Sequence, residues 1–174
     1  MIALSGTPGT GKTSVGEELA RRGRRIIELN DFIKEHGLLG RLDRKRGTRE
    51  VDIQALDEAL AGERMSADVI LVGHLAHSLS VDSIIVLRCR PSVLVGRLGS
   101  RGYPERKVKE NVEAEALDVI LVEAVETGTE VLEVDTTDMS IARAADAVEE
   151  ILAGEREKYE VGHIDWSEEV LDWY

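Results

Sequence analysis

A stretch near the N-terminus has the residue types and the spacing of a phosphate-binding loop. Residues 6–13, GTPGTGKT, match the pattern G-x-x-x-x-G-K-[ST] at every fixed position. Glycines let the backbone curl until several N–H groups point at one anion, and a helix that begins there adds the positive end of its dipole. In such a loop Lys12 reaches the β- and γ-phosphates of a nucleotide, and the Thr13 hydroxyl ligates Mg²⁺. The alternative is a glycine-rich turn that merely precedes a helix.

The flanking residues favour the phosphate-loop interpretation. Residues 1–5, MIALS, are apolar enough for a short buried strand, and residues 14–22 carry Val15, Leu19 and Ala20 along one face of a predicted helix. A strand that runs directly into the loop and a helix that leaves it are the context in which the motif works. We therefore predict a site for the phosphates of a nucleotide.

Two other segments concentrate positive charge in an acidic chain. Residues 37–49 are basic, and so are residues 97–109, around a helix break at Gly102 and Pro104. A run of charge is usually a solvated face. The first segment, however, follows the second predicted strand, close to the sheet edge where ligands of open α/β folds bind. Anion binding and a solvated loop are both open for its positive side chains, which are Arg41, Arg44, Lys45, Arg46 and Arg49.

Several single residues could serve either chemistry or structure. His74 follows the apolar run of residues 68–73 and would emerge at the carboxyl end of a buried strand, so a catalytic role and a packing role are both open. Asp52 precedes a predicted helix and is either its N-cap or a substrate ligand. His77, further from the strand end, and Cys89, inside an apolar run, are more typical of structural side chains.

The order of the predicted elements indicates an α/β fold. Strands are expected at residues 1–5, 24–29, 68–73, 83–87 and 130–135, separated by helices that include a single long one from about residue 105 to about residue 126. This order predicts a five-stranded parallel sheet with helices on both faces and right-handed crossovers, in one domain over residues 1–174. Residues 155–174 form a tail with both tryptophans, which could dock on the body or bind a partner.

Composition narrows the classes of function. The chain has 43% hydrophobic and 32% charged residues, which is typical of a globular protein. Its formal net charge of −12 argues against broad affinity for nucleic acids, and sequence-specific binding to them is not expected. No apolar run reaches the length of a membrane span, so no membrane partner is expected. A single cysteine excludes an intrachain disulfide and a cysteine-rich zinc site, and is typical of the reducing cytoplasm.

Four groups of residues give the chain a resemblance to a known family. They are the loop of residues 6–14, Asn30-Asp31 after strand two, Gly73-His74 after strand three, and Arg97-Leu98-x-x-Arg101-Gly102-Tyr103. On these residues the chain resembles the isoenzyme-6 type of adenylate kinase. This is a family of small nucleoside-monophosphate kinases that also assists maturation of the small ribosomal subunit, and its archaeal branch is the most similar.

The resemblance implies a phosphate-loop NTPase fold and a set of ligands. ATP would be the phosphoryl donor, with Mg²⁺ as cofactor, and a nucleoside monophosphate would be the acceptor. A small-subunit ribosomal protein is implied as a further partner. Residues of about 30–52 would grip the monophosphate, and residues of about 100–110 would form a short lid.

The resemblance also implies roles for particular residues. Those implied to bind the triphosphate are Gly9, Gly11, Lys12, Thr13, Ser14 and Arg101. Those implied to bind the monophosphate are Asn30, Asp31, Arg41 and Arg49, and those implied in catalysis are Lys12, Arg101 and His74.

One position departs from the family pattern. Many members carry Asp-x-His after strand three, where the aspartate helps to hold the hydration shell of Mg²⁺ and the histidine supports ATP hydrolysis. Here the corresponding residues are Val72, Gly73 and His74. The histidine is present and the aspartate is not, so Thr13, the phosphates and water are left to hold the metal.

The sequence therefore predicts reversible phosphoryl transfer from ATP–Mg²⁺ to a nucleoside monophosphate, with a slower ATPase activity when no acceptor is bound. Two other functions stay open. An assembly factor would use ATP hydrolysis to release a ribosomal protein, with kinase activity incidental. A kinase of another small acceptor, such as shikimate or a nucleoside, would share the phosphate loop without requiring the basic segment after strand two.

Overall fold

The computed structural model describes residues 1–43, 48–63 and 68–171, with the backbone alone described at residues 41–43, 48, 49 and 171. The strands are β1 (Ile2–Ser5), β2 (Arg25–Glu28), β3 (Leu39–Asp43), β4 (Thr48–Val51), β5 (Val69–Val72), β6 (Ser83–Arg88) and β7 (Glu130–Asp135). The α-helices are α1 (Lys12–Arg21), α2 (Leu29–Glu35), α3 (Ile53–Gly62), α4 (Pro91–Ser100), α5 (Glu105–Ala116), α6 (Val119–Glu126), α7 (Ile141–Leu152) and α8 (Ser167–Leu171). Among the helices described, none has the length and apolar character needed to cross a membrane.

The main sheet is parallel and has the strand order β2-β5-β1-β6-β7. β1 lies in the middle, with Ile2 beside Ile70 of β5 and Ser83 of β6. All residues of β5 are buried, which explains its continuous apolar sequence, because a parallel strand is covered on both faces. The predicted five-stranded parallel sheet is confirmed, and its carboxyl edge brings the ends of β1, β2 and β5 together.

Two hydrophobic clusters cover the two faces of the sheet. On one face, α2, α3 and α6 contribute Phe32, Leu56 and Leu121 to the first cluster. On the other face, α1 and α7 contribute Leu19 and Val148 to the second. Each central strand supplies side chains to both clusters, since successive residues of a strand point to opposite faces. The prediction of helices on both faces is confirmed.

A β-hairpin that the sequence analysis did not predict lies within residues 37–52. Strands β3 and β4 pair antiparallel there, with Asp43 opposite Thr48. The dense basic residues of this segment hide the apolar alternation that normally marks a hairpin. Three of its cations fall outside the described residues, as do the side chains of two others; these are Arg44, Lys45 and Arg46, and Arg41 and Arg49 respectively.

The predicted single helix from about residue 105 to about residue 126 is wrong, because two helices meet there. α5 ends at Ala116 and α6 begins at Val119. Between them Asp118 has a φ of 55°, in the left-handed region that Asp and Asn enter more readily than most residues with a side chain. At this turn the carboxylate of Asp118 binds the guanidinium of Arg88. Apolar periodicity, on which the helix prediction rested, carries no information about that ion pair.

The side chain of Arg88, at the end of β6, is buried and only 1% exposed. Its guanidinium donates to Glu115 of α5 at 2.9 Å, to Glu133 of β7 at 3.0 Å and to Asp118. Each carboxylate accepts from a different nitrogen of the planar guanidinium group. We call these four residues the Arg88 cluster. It ties α5 and the turn between α5 and α6 to the edge strand β7.

The C-terminal tail docks on the body of the fold through its backbone and one tryptophan. Glu133 Oε1 accepts the N–H groups of Gly162, His163 and Ile164 at 2.9–3.3 Å. Trp166 is 7% exposed and lies beside Arg88, whose guanidinium carbon is 5.8 Å from the ring centroid, a cation–π contact. The tail therefore rests on the same cluster that holds α5.

Replacing Arg88 should destabilise the fold strongly. Arg88→Met leaves Glu115 and Glu133 buried without their cation, and breaking a buried ion pair in this way costs about 3–5 kcal/mol. Arg90→Met is the matched control, because Arg90 is half-exposed and lies 3.8 Å from the exposed Asp138, so its loss should cost about 1 kcal/mol or less. Urea denaturation of both variants measures the free energy of unfolding. Equal losses for the two would contradict the structural importance of the Arg88 cluster.

Candidate active site

The loop between β1 and α1 is shaped by its glycines. Gly9 has a φ of 96°, and a Cβ there would lie 2.7 Å from a methyl carbon of Leu94. Gly11 has a φ of 105° and is the N-cap of α1, whose first turn is capped by no side chain. A left-handed backbone and close packing explain why glycine occupies these positions. Because no side chain caps the first N–H groups of α1, they can bind an anion.

Hydrogen bonds from the buried side fix this loop. The Thr10 hydroxyl donates to the carbonyl oxygen of Thr7 at 2.9 Å, and the Thr7 hydroxyl donates to Glu115 at 2.5 Å. The Thr136 hydroxyl, just after β7, donates to the carbonyl oxygen of Thr10 at 2.8 Å. Thr7 and Thr10 occupy variable positions of the motif, so the sequence pattern did not single them out. Their bonds restrict the loop to one conformation, which lowers the ordering cost of binding an anion.

Lys12 is held over the loop that it follows. Its Nζ donates to the carbonyl oxygens of Gly6 at 2.6 Å and of Thr7 at 2.9 Å. Burial lowers the pKa of Lys12 to about 8, an effect that the charges of Glu115 and Glu28 oppose. The ammonium group is therefore mostly protonated at neutral pH. It lies against the loop, within reach of a phosphate that the loop would bind.

A cavity of about 340 Å³ opens at the carboxyl edge of the sheet, beside the loop. We call it the central cavity. Its walls come from the loop, the ends of β2 and β5, the turn between α4 and α5, and α5 itself. It brings together seven of the residues that the sequence analysis proposed for the site, namely Gly9, Gly11, Lys12, Thr13, Asn30, His74 and Arg101.

A second cavity of about 240 Å³ borders the same loop. Ser14 lines it, together with Arg97, Arg101 and the segment that begins at Thr136. Arg97 holds that segment in place by donating to the carbonyl oxygens of Thr136 at 2.7 Å and of Thr137 at 3.0 Å. Arg101, which directly follows α4, lines both cavities. No function was predicted for Arg97 from its sequence context, because its role depends on a segment 39 residues further along the chain.

The two histidines after β5 have different surroundings. His74 is exposed towards the central cavity, and partial burial together with the nearby charge of Lys12 lowers its pKa below the usual value. His74 is therefore neutral at pH 7. His77 is buried, with Nδ1 2.9 Å from the Ser5 hydroxyl and Nε2 3.1 Å from Glu123. This placement is consistent with the structural role predicted for His77.

The residues proposed to bind a monophosphate are only partly placed. Asn30 lines the central cavity. Asp31 is exposed, and its carboxylate accepts from Lys34 at 3.0 Å, so the structure does not bring it to the cavity wall. The backbones of Arg41 and Arg49 belong to β3 and β4, and their side chains lie outside the described residues. Asp52 accepts the N–H of Ala55 at 3.1 Å, which favours the N-cap alternative.

For several further residues of the central cavity, the sequence predicted no individual binding or catalytic role. Tyr103, Lys107 and Asn111 line it from the α4–α5 turn and from α5. Lys107 lies within the basic segment of residues 97–109, so charge alone pointed to its neighbourhood. Glu28 lines the cavity from the end of β2. Burial, helped by the negative charge of Asp31, raises the pKa of Glu28 above its usual value, and Lys12 opposes that shift.

The cavity suits Mg²⁺ better than a metal held by protein ligands alone. In the described part of the chain there is no group of three or more His, Cys, Asp or Glu residues that could hold a metal ion. Mg²⁺ does not need one, since it keeps several waters and binds through one or two protein oxygens plus substrate phosphates. The hydroxyl of Thr13 and the carboxylate of Glu28 both line the central cavity and are oxygen ligands of the kind that Mg²⁺ prefers.

The sheet order and the glycine loop between β1 and α1 define an α/β phosphate-loop NTPase fold. Solved structures agree. A shikimate kinase from Acinetobacter baumannii in complex with shikimate has a TM-score of 0.62 at 17% identity, covering 90% of this chain and 94% of that one. A deoxyadenosine kinase from M. mycoides with products bound has a TM-score of 0.57 at 16% identity, covering 87% of this chain and 98% of that one. At these identities the likeness shows the fold alone.

Sequence comparisons give the family. The sequence model of a family described as "AAA domain" matches residues 2–118. A protein of Archaeoglobus fulgidus named "Putative adenylate kinase" is 45% identical, covering 99% of this chain and 94% of its own length. A protein of Natronomonas pharaonis with the same name is 46% identical over 96% of this chain and 98% of its own length. The chain belongs to the archaeal adenylate kinase-type family, as the sequence analysis predicted.

The lowered pKa of Lys12 should make anion capture weaker at alkaline pH. Only the protonated ammonium attracts phosphate, so with a pKa of about 8 the affinity for inorganic tripolyphosphate should fall about tenfold between about pH 7 and about pH 9. Isothermal titration calorimetry across this range measures the affinity. Lys12→Met is the control. Its methionine side chain has no proton to lose, so this variant should bind tripolyphosphate weakly and without the tenfold fall. A wild-type affinity that changes with pH no more than that of Lys12→Met would contradict the placement of Lys12 at the phosphates.

Proposed function

We propose that this protein is a nucleoside-monophosphate kinase of the adenylate kinase type, which transfers the γ-phosphoryl group of ATP reversibly to a nucleoside monophosphate. The observation that carries the proposal is the pair of cavities that border the phosphate loop and share Gly9, Gly11 and Arg101. Direct transfer needs a donor and an acceptor bound at once, with one cationic group able to reach the phosphoryl group between them.

In this proposal each cavity has its own occupant. The second cavity, between Arg97 and the segment after Thr136, takes the nucleoside of ATP, whose phosphates lie along the loop. The central cavity takes the transferring phosphoryl group and the phosphate of the acceptor, near Asn30 and His74. The basic hairpin of residues 39–51, which follows α2, is proposed to help hold the monophosphate.

The chemistry requires positioning and charge neutralisation, and no side chain is covalently modified. Lys12 and Arg101 neutralise charge that develops on the transferring phosphoryl group. Thr13 would hold Mg²⁺ through its hydroxyl, and the bound metal would supply further charge neutralisation. The turn of residues 101–104 and the start of α5 form the proposed lid of about residues 100–110, which excludes water so that the acceptor oxygen is the nucleophile.

The names of the relatives and the basic residues of the β3–β4 segment support this function over its competitors. The relatives at 45% and 46% identity are named as adenylate kinases. The deoxyadenosine kinase and shikimate kinase folds show that the same scaffold also accepts other small acceptors. The hairpin with its basic residues favours an acceptor that carries a phosphate, which shikimate and nucleosides do not.

Consumption of ATP with and without candidate acceptors tests the proposal. The acceptors are a panel of nucleoside monophosphates, shikimate, nucleosides and a small-subunit ribosomal protein. The proposal predicts that at least one monophosphate accelerates ATP consumption and yields its diphosphate in equal amount. Acceleration by the ribosomal protein alone, with release of inorganic phosphate, would favour the ATP-driven assembly factor. Phosphorylated shikimate or nucleoside would favour a kinase of another small acceptor.

Loss of Arg101 should affect turnover more than nucleotide affinity. An arginine that acts mainly on the developing charge contributes in the transition state, so Arg101→Ala should lower kcat about 10²-fold with little change in the Kd for ATP. Arg21→Ala is the matched control, since Arg21 is exposed at the end of α1, pairs with Glu18 and lines neither cavity. Steady-state rates and calorimetry measure the two quantities. If Arg101→Ala turned over like Arg21→Ala, Arg101 would be a solvated surface charge.

Loss of His74 should separate ATP hydrolysis from phosphoryl transfer. Neutral His74 can accept a hydrogen bond from an attacking water, whereas a monophosphate brings its own positioned nucleophile. We expect His74→Ala to depress the acceptor-free ATPase about 10-fold or more and the kinase reaction much less. The exposed His163 provides the control variant, His163→Ala. Equal slowing of both reactions would mean that His74 supports the structure of the loop.

A further inference from the structure

Glu28 lies beside the position where the family aspartate is missing. It ends β2, and in the parallel pairing of β2 with β5 it is the direct partner of Val72. The family resemblance implies an aspartate at that position of the strand, whereas Val72 offers only methyl groups to a metal or its waters. A carboxylate that this chain lacks on β5 is therefore present one strand away, on β2.

The side chains of Glu28 and Val72 reach the same space. Gly16 of α1 shows this, because a Cβ built there would meet a methyl carbon of Val72 at 3.1 Å and Glu28 Oε1 at 3.6 Å. Both side chains thus lie on the face of the sheet that α1 covers, next to the first turns of that helix. Thr13, the proposed metal ligand, belongs to the same part of α1. The absence of a side chain at Gly16 keeps this space open.

One oxygen of Glu28 is buried and, in the described part of the chain, accepts no hydrogen bond. A buried carboxylate oxygen without a donor is unfavourable, so such groups are uncommon unless a ligand, ion or water completes them. The described residues that line the central cavity include a single carboxylate, and it is Glu28. Lys12 and Arg101 line the same cavity, which is otherwise suited to phosphates.

We propose that Glu28 supplies the carboxylate that holds the hydration shell of nucleotide-bound Mg²⁺, in place of the aspartate that position 72 lacks. The inference rests on the proposed function, since the metal enters with the nucleotide. Mg²⁺ retains waters that donate hydrogen bonds, and an acceptor oxygen with no other donor is their natural partner. In this assignment the carboxylate lies on β2, as the direct partner of Val72 on β5, and borders the same cavity as Thr13.

The affinity of the metal for the protein–nucleotide complex tests this assignment without any turnover. Mn²⁺ is the probe, with a non-hydrolysable imido analogue of ATP, and electron paramagnetic resonance counts the free metal. Loss of a group that orients metal-bound waters typically weakens metal affinity by about 10- to 100-fold, and we expect that range for Glu28→Gln. In EDTA the affinity for the analogue should stay the same or rise slightly, because a negative charge near the phosphates is gone.

A matched control removes an equal charge from the neighbourhood. Glu17 lies on the exposed side of α1, near enough to Glu28 to influence its charge. Glu17→Gln should leave Mn²⁺ affinity within about twofold of wild type, because an exposed charge is screened by solvent. Urea denaturation shows that each variant is folded. Glu28→Ala removes the desolvated carboxylate altogether and gives the same comparison if the Gln variant is unstable.

Three results would overturn the inference. Unchanged Mn²⁺ affinity in a folded Glu28→Gln–analogue complex would show that Glu28 does not hold the metal's waters. An equal loss of analogue binding in EDTA would show that Glu28 acts on Lys12 or the loop. If Glu17→Gln weakened Mn²⁺ binding as much as Glu28→Gln, the loss would come from removing any nearby negative charge, and not from a specific contact of Glu28 with the metal's waters. If wild-type protein bound no analogue at all, the proposed function would fail first and this inference with it.

Discussion

The buried guanidinium of Arg88 holds together the parts of the chain that shape the site. Three carboxylates converge on it, and each has a further task. Glu115 also accepts the hydroxyl of Thr7 in the phosphate loop and the N–H of Cys89, Glu133 also binds the backbone of the C-terminal tail, and Asp118 forms the turn between α5 and α6. An unpaired charge there would be costly, so the cluster fixes the phosphate loop, α5 and the tail relative to one another.

The charge of the central cavity runs opposite to that of the whole chain. The protein carries a formal net charge of −12, yet Lys12, Arg101 and Lys107 line the cavity, with Glu28 as the one carboxylate among its described residues. Anionic phosphates are attracted to this local field while the rest of the surface repels polyanions such as nucleic acids. Burial keeps the pKa of Lys12 near 8, so the site is charged at neutral pH but close to losing that charge.

Features with a local cause were predictable from the sequence, and features with a long-range cause were not. The phosphate loop, the buried strands and the position of His74 follow from motif spacing, apolar runs and the meeting of parallel strand ends at one edge. The break between α5 and α6 at Asp118 was not predicted, because Arg88, the partner of Asp118, lies 30 residues away in the sequence. No role was predicted for Glu28 or Arg97 for the same reason, since their surroundings depend on the register with β5 and on contact with the segment after β7, respectively. The basic hairpin lacked the alternation that marks strands.

Because the donor and the acceptor are proposed to bind in the two cavities that Arg101 lines, the fate of the γ-phosphoryl group is the most direct test. Phosphorus nuclear magnetic resonance of a mixture of protein, ATP, Mg²⁺ and AMP follows every phosphate at once. We expect one AMP to disappear and two ADP to form for each ATP consumed, without release of inorganic phosphate, and we expect ADP alone to return ATP and AMP. Release of inorganic phosphate with AMP unchanged would contradict it, because water would then be the acceptor that this site selects.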